Sequence, residues 1–162
     1  MGLLAAPVIE VAFETAHTVA NMLYARIFLR FPRIQFVLAH AGGALPALAG
    51  RLELLGAESW VCNPQGVTRE EIARQLGGLH VDTAASARTR IPAAVAMRGP
   101  KKCVYGSDCG VPCSTEETIR ANQADLTVVE RRFGLKENSF GENGWKLVPN
   151  AAKRAGIAWA AE

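Results

Sequence analysis

The chain has 162 residues, enough for one domain with a real core; 49% are hydrophobic and 20% charged. A net charge of +3, without a dense Lys/Arg run or interleaved aromatics, argues against a nucleic-acid partner. The apolar stretches are broken by charges short of membrane-spanning length, and residues 1–6 lack a signal peptide's basic flank and cleavage site. A cytoplasmic protein without a membrane partner is therefore expected.

Residues 8 to 31 read as one long helix, with Ala12, Ala16, Val19, Leu23 and Ile27 in an apolar stripe and Pro32 as its stop. His17 falls on the polar side with Glu10, Glu14 and Asn21, which predicts a solvent-facing histidine. A strand follows over 34–40, where Ile34, Phe36, Leu38 and His40 share one face at period two. His40 then closes the strand, followed by Gly42-Gly43 and by Pro46, which suits a first helical position. The next helix, over 45–58, carries Leu48, Leu52 and Leu55.

Thr68 to Glu71 predicts a capping box that opens a helix ending near Gly77-Gly78. Leu79 to Ala84 reads as a strand with Leu79, Val81 and Thr83 on one face and His80 and Asp82 on the other. A helix over 88–98 leads to a third strand, 103–108, which ends on Asp108. A second capping box is expected at Ser114 to Glu117, then a helix through Phe133, another over 137–148 and a short turn or helix beyond Asn150. Three strand–helix units in alternation predict an α/β fold with parallel strands at 34–40, 79–84 and 103–108, adjacent in that order.

The four cysteines, 62, 103, 109 and 113, follow no common zinc or redox spacing, so reduced and mostly buried thiols are expected. Cys109 and Cys113 fall in the loop after Asp108, where they could line a pocket. A histidine and an aspartate at the carboxyl ends of strands, His40 and Asp108, form the candidate site and should face one cavity. Carboxylate and imidazole suit a hard or borderline cation, and a histidine beside it can transfer protons near neutral pH. The structural alternatives are a capping or loop-bonding Asp108 and a satisfied core His40. Asp82 reads as support for the site or as plain structure.

His40-Ala41-Gly42-Gly43 with Pro46 and Arg51, followed in order by Tyr105-Gly106-Ser107-Asp108, resembles the amidohydrolase-related family of metal-dependent decarboxylases and hydrolases. Arg30 to Ile34 resembles the helix end and strand start before the family's histidine, and the likeness runs from about residue 9 to 152. The resemblance implies the last three strands of a (β/α)8 barrel, so residues 1–162 would be a single partial barrel domain, since a full barrel takes about 250 residues. It implies that Asp108 is a ligand of a divalent metal, zinc or alternatively manganese. His40 would be the histidine beside that metal, acting on water or substrate. The family's first-strand ligands and middle histidine have no counterpart, because His17 ends no strand and His80 belongs to the seventh-strand match.

Phe13-Glu14-Thr15-Ala16 and Cys109-Gly110-Val111-Pro112-Cys113 are most similar to decarboxylases of small aromatic acids such as 6-methylsalicylate. The implied activity is non-oxidative decarboxylation of a small aromatic carboxylic acid. The alternatives are metal-dependent hydrolysis of an ester, lactone or amide, and a catalytically incomplete fragment with a structural role or none. Three strands leave apolar faces and open edges, so self-association is expected.

Overall fold

The computed structural model describes residues 8–85, 87–110 and 114–157. Ala16, Val19 and Leu23 recur at helical spacing and are buried, which fixes the inner face of α1 (Glu10–Tyr24). The single helix expected to residue 31 is broken at Arg26, where φ is +58°, and α2 (Ile27–Arg30) resumes for one turn. The Arg26 guanidinium pairs there with Glu71, which ties the break to the next helical layer. Ile27 continues the apolar period across this break, so periodicity alone does not register it.

The sheet holds β1 (Val37–Leu38), β2 (His80–Asp82) and β3 (Cys103–Val104), all parallel and in that order, as the alternation predicts. Val37 lies opposite His80, and Val81 lies opposite Cys103. The ladders are shorter than the predicted strands because other partners replace them at the ends. Beyond Val104, the Tyr105 N–H donates to the Phe140 carbonyl, and the Gly106 N–H donates to the Thr83 hydroxyl.

Two buried clusters hold the layers together. One joins α1 to α3 (Leu45–Leu55) and α4 (Arg69–Gly78) through Leu23, Leu45, Ile72 and Leu76. The other joins the sheet to α5 (Arg90–Arg98) and α6 (Glu116–Arg132) through Val81, Ile91, Cys103 and Leu126. The core face of α3 is Leu45 and Ala49, whereas Leu48 is exposed and lines, with Leu52 and Leu55, an open groove against α1. The expected stripe at 48, 52 and 55 thus faces that groove, where His17, Arg51 and Trp60 also lie.

The predicted box at α4 is present, with Glu71 N–H on the Thr68 hydroxyl and Thr68 N–H on the Glu71 carboxylate, both at 3.2 Å. The second box moves by one residue, to Thr115 and Thr118. Ser114 is occupied elsewhere, because its hydroxyl donates to Asp108. The predicted helix over 137–148 is α7 (Ser139–Leu147), and α8 (Pro149–Arg154) follows directly. The buried Glu130 carboxylate accepts the Asn138 and Phe140 N–H groups at the start of α7, which satisfies amides a helix leaves unpaired.

Cys103 is buried and its thiol is pushed up to about 12 by burial, which makes it inert. The expectation of mostly buried thiols fails for Cys62 and Cys109, which are exposed and free. Cys113 lies outside the described residues. Among the described residues no helix is long and apolar enough to cross a membrane.

His80 is 8% exposed and its Nδ1 has no hydrogen-bond partner among the described residues. Burial, and secondarily the Lys102 charge, lower its pKa from 6.5. The unfolded chain therefore binds a proton at His80 before the folded chain does. This contribution to stability is complete above 6.5 and is lost as pH falls from there towards the lowered folded value. Urea unfolding at about pH 7.5 and 5.5 should show a fall in stability that is smaller in His80→Gln. An equal fall in both proteins would contradict this account.

Candidate functional site

After Leu38 the chain stops pairing and turns through four consecutive residues with positive φ: His40 (52°), Ala41 (58°), Gly42 (79°) and Gly43 (61°). For the two non-glycine residues this conformation costs about 1–2 kcal/mol each, so the surroundings must hold the turn in place. Gly43 answers part of that need, because its missing side chain lets α1 approach. A Cβ there would stand 2.2 Å from the Ala12 carbonyl oxygen, which accepts the Ala44 N–H at 2.9 Å. Arg90 of α5 donates to the His40 carbonyl at 3.3 Å.

The turn redirects His40. Strand parity groups it with Phe36 and Leu38, which pack against the helical core. Instead its imidazole reaches across the carboxyl edge of the sheet. Nδ1 lies 3.4 Å from the Ala84 carbonyl oxygen beyond β2. A carbonyl only accepts, so this contact places the proton of the neutral ring on Nδ1. Nε2 then faces Asp108 Oδ1 at 4.0 Å, too long for a hydrogen bond.

Asp108 also sits at positive φ, 62°, just beyond β3. Its Oδ2 accepts the Ser114 hydroxyl at 2.9 Å, which leaves Oδ1 turned to His40. Both side chains are partly open, 29% for His40 and 14% for Asp108. The structure therefore brings together the two residues singled out from the sequence.

Several supporting groups carry no sequence signal of their own. Thr83 uses its hydroxyl to extend the ladder to Gly106, accepting the Gly106 N–H at 3.1 Å. Asn122 of α6 donates to the Thr83 carbonyl at 2.8 Å and accepts the Ala87 N–H at 3.0 Å, pinning the loop after β2. Ser114 on Asp108 and Arg90 on the His40 carbonyl complete this set. Polar side chains that bond to backbone at long sequence separation follow no local spacing, so only the fold exposes them.

Asp82, support or plain structure by its sequence position, bonds beside the pair. Its Oδ1 accepts the Ala84 N–H at 3.1 Å. Burial raises its pKa, opposed by hydrogen bonding from the N–H groups of Ala84, Ala41 and His40 and by the His40 charge.

Zinc sites use three or four protein ligands, and His40 with Asp108 offers two donors. Among the described residues no group of three or more His, Cys, Asp or Glu side chains is placed to hold a metal ion. The described residues do not by themselves fit a resident metal.

The family model described as amidohydrolase matches residues 11–147. The chain belongs to the amidohydrolase family. Within that family it is 26% identical over 144 residues to the decarboxylase macB of Penicillium terrestre, covering 86% of this chain and 38% of that protein. It is 27% identical over 139 residues to 2-amino-3-carboxymuconate-6-semialdehyde decarboxylase of Dictyostelium discoideum, covering 83% of this chain and 36% of the relative. The chain thus spans well under half the length of these curated relatives.

Solved structures agree on the fold. A crystal structure described as an amidohydrolase II superposes with a TM-score of 0.72 at 20% identity, covering 90% of this chain and 45% of the other. The 5-carboxyvanillate decarboxylase of Sphingomonas paucimobilis superposes with a TM-score of 0.62 at 20% identity, covering 83% and 39%. The strand–helix units of this chain therefore correspond to part of an amidohydrolase barrel. Decarboxylases of this family generally use a divalent metal.

Proposed function

We propose that this chain supplies the His40–Asp108 part of the active centre of a non-oxidative decarboxylase acting on small aromatic carboxylic acids. The observation that carries the reading is the orientation of His40, with Nδ1 on the Ala84 carbonyl and Nε2 turned to Asp108. That two curated relatives are decarboxylases supports it. In this reading Asp108 is one ligand of a divalent metal, zinc or manganese, and the other ligands come from outside these 162 residues.

The chain's own chemistry is a proton transfer. With Nδ1–H held by Ala84, a protonated ring presents its second proton at Nε2, on the side of the Asp108 carboxylate. Delivered to the ring carbon that carries the carboxylate, this proton forms the new C–H bond. The ring–carboxyl bond then breaks, its electron pair restores the aromatic ring, and carbon dioxide leaves. A hydrolase could use the same Nε2 proton on the leaving group of an ester, lactone or amide.

The assay separates these outcomes. Joined to the N-terminal part of a curated relative, the chain should release carbon dioxide from hydroxybenzoic acids and leave ester and lactone substrates intact. Acid production from esters or lactones, without carbon dioxide, would assign the hydrolytic alternative. No turnover with either substrate class would assign the incomplete-fragment alternative. For self-association, exposed Trp60, Leu48 and Val37 supply apolar surface that supports the same proposal for the isolated chain.

A further inference from the structure

The amino ends of the three parallel strands gather a second set of polar groups, on the sheet edge opposite His40 and Asp108. His80 opens β2, Lys102 stands directly before β3, and Gln35 lies shortly before β1. With Lys101, and with Asn143 and Lys146 of α7, they line an open cavity of about 460 Å³. Its charged lining residues are the three lysines, with no carboxylate among the described residues. None of these lysines forms an ion pair among the described residues.

The wall of the cavity is anchored. Asn143 Nδ2 donates to the Pro100 and Cys103 carbonyls, both at 2.9 Å, and so ties both ends of the Lys101–Lys102 segment to α7. Lys146 follows one helical turn later, on the same face as Asn143. His80 is 8% exposed, its Nδ1 is buried without a partner, and its ring makes no hydrogen bond among the described residues. A buried polar ring left unpaired costs stability, and so does gathering three like charges without a counter-charge. One kind of ligand relieves both.

We propose that this amino-end cavity binds a compact dianionic oxyanion, of the phosphate-ester or sulfate kind, among Lys101, Lys102 and Lys146 and against His80. Ammonium groups are compact point donors, which suit an anion with several oxygens and more than one charge. A monocarboxylate would leave most of the lysine charge uncompensated. The lowered His80 pKa agrees with this setting, because the Lys102 charge contributes to it after burial. The proposal uses neither His40 nor Asp108, so it stands or falls apart from the proposed function.

The His80 ring itself reports occupancy. Its titration is followed by NMR of the full chain, first in chloride and then in sulfate at equal ionic strength. Sulfate should raise the His80 pKa by about half a unit or more over chloride, because an adjacent anion favours the imidazolium. His17, exposed on α1, should titrate alike in both salts. Inorganic phosphate should bind by calorimetry at constant pH. The double variant Lys101→Gln, Lys146→Gln should weaken that binding about tenfold or more and remove the sulfate shift. Both lysines are exposed, so the variant keeps the fold. Lys136→Gln, exposed before α7, should leave binding unchanged.

An equal His80 pKa in sulfate and chloride would reduce the effect to screening and overturn the proposal. So would a sulfate shift that survives the double variant, or one that Lys136→Gln lowers as much. Phosphate binding present in the isolated chain, but lost when the chain is joined to the N-terminal part of a relative, would mark a surface the complete barrel covers. That result would overturn it too.

Discussion

In the completed site, Asp108→Ala should abolish divalent-metal binding, whereas His40→Ala should leave the metal bound and lower turnover by roughly 10²–10⁴-fold. The asymmetry follows from what each group contributes. In the proposed reading Asp108 is this chain's metal ligand, and its Oδ1 lies 4.0 Å from His40 Nε2 while Ser114 holds Oδ2. Without that carboxylate the cation loses an anionic donor, and the remaining neutral donors hold it poorly. His40 carries a proton, so its loss removes acid–base assistance and spares binding. The Asp108→Ala protein should be metal-free by elemental analysis, with His40→Ala at full stoichiometry and a reduced kcat. Metal loss from His40→Ala would make the imidazole a ligand and contradict this division of roles.

Gly43→Ala should cost about 3 kcal/mol or more. The added Cβ would stand 2.2 Å from the Ala12 carbonyl oxygen and 2.9 Å from the Ala12 Cα, and φ there is +61°. Backbone has no rotamer to yield, so α1 must move off the turn and the Ala44–Ala12 hydrogen bond must break. Gly42→Ala is the internal control. Its Cβ would meet Leu38 Cδ1 at 3.4 Å, Val81 Cγ1 at 3.5 Å and Leu38 Cβ at 3.8 Å, all ordinary contacts, so it should cost about 1 kcal/mol, from its left-handed conformation. Urea midpoints of the two variants check the ordering. Equal midpoints would show that α1 does not bear on the turn.

The parallel order of the strands and the pairing of His40 with Asp108 are legible in the sequence. Both follow from short-range patterns: apolar runs at period two, helices between them, and polar residues where the runs end. Strand length is less legible. A period-two run marks residues able to extend, whereas a ladder also needs a neighbour, and Tyr105 finds α7 where a strand is expected. The break at Arg26 is hidden because Ile27 keeps the helical stripe, while the interaction that fixes the break, with Glu71, is remote in sequence. Ser114 looks like a cap for a similar reason. Its hydroxyl has two local uses, and the carboxylate of Asp108 takes it, so Thr115 caps α6 in its place.

The rest of the site is the contribution of neighbours. His40 does not project from a strand at all, and its direction comes from the left-handed turn, the Ala84 carbonyl and the Arg90 contact. Asp82 looks the same in sequence whether it supports the site or merely ends a strand. Its bond to the Ala84 N–H and the approach of Gly106 appear only in the fold.

In the proposed function, His40 and Asp108 are half of a metal-dependent site whose remaining ligands lie outside these 162 residues. Metal stoichiometry of the purified chain, alone and joined to the N-terminal part of a decarboxylase relative, tests it most directly. No stoichiometric zinc or manganese is expected on the chain alone, and about one ion per joined chain that depends on Asp108. About one tightly held ion on the isolated chain, with turnover, would contradict it.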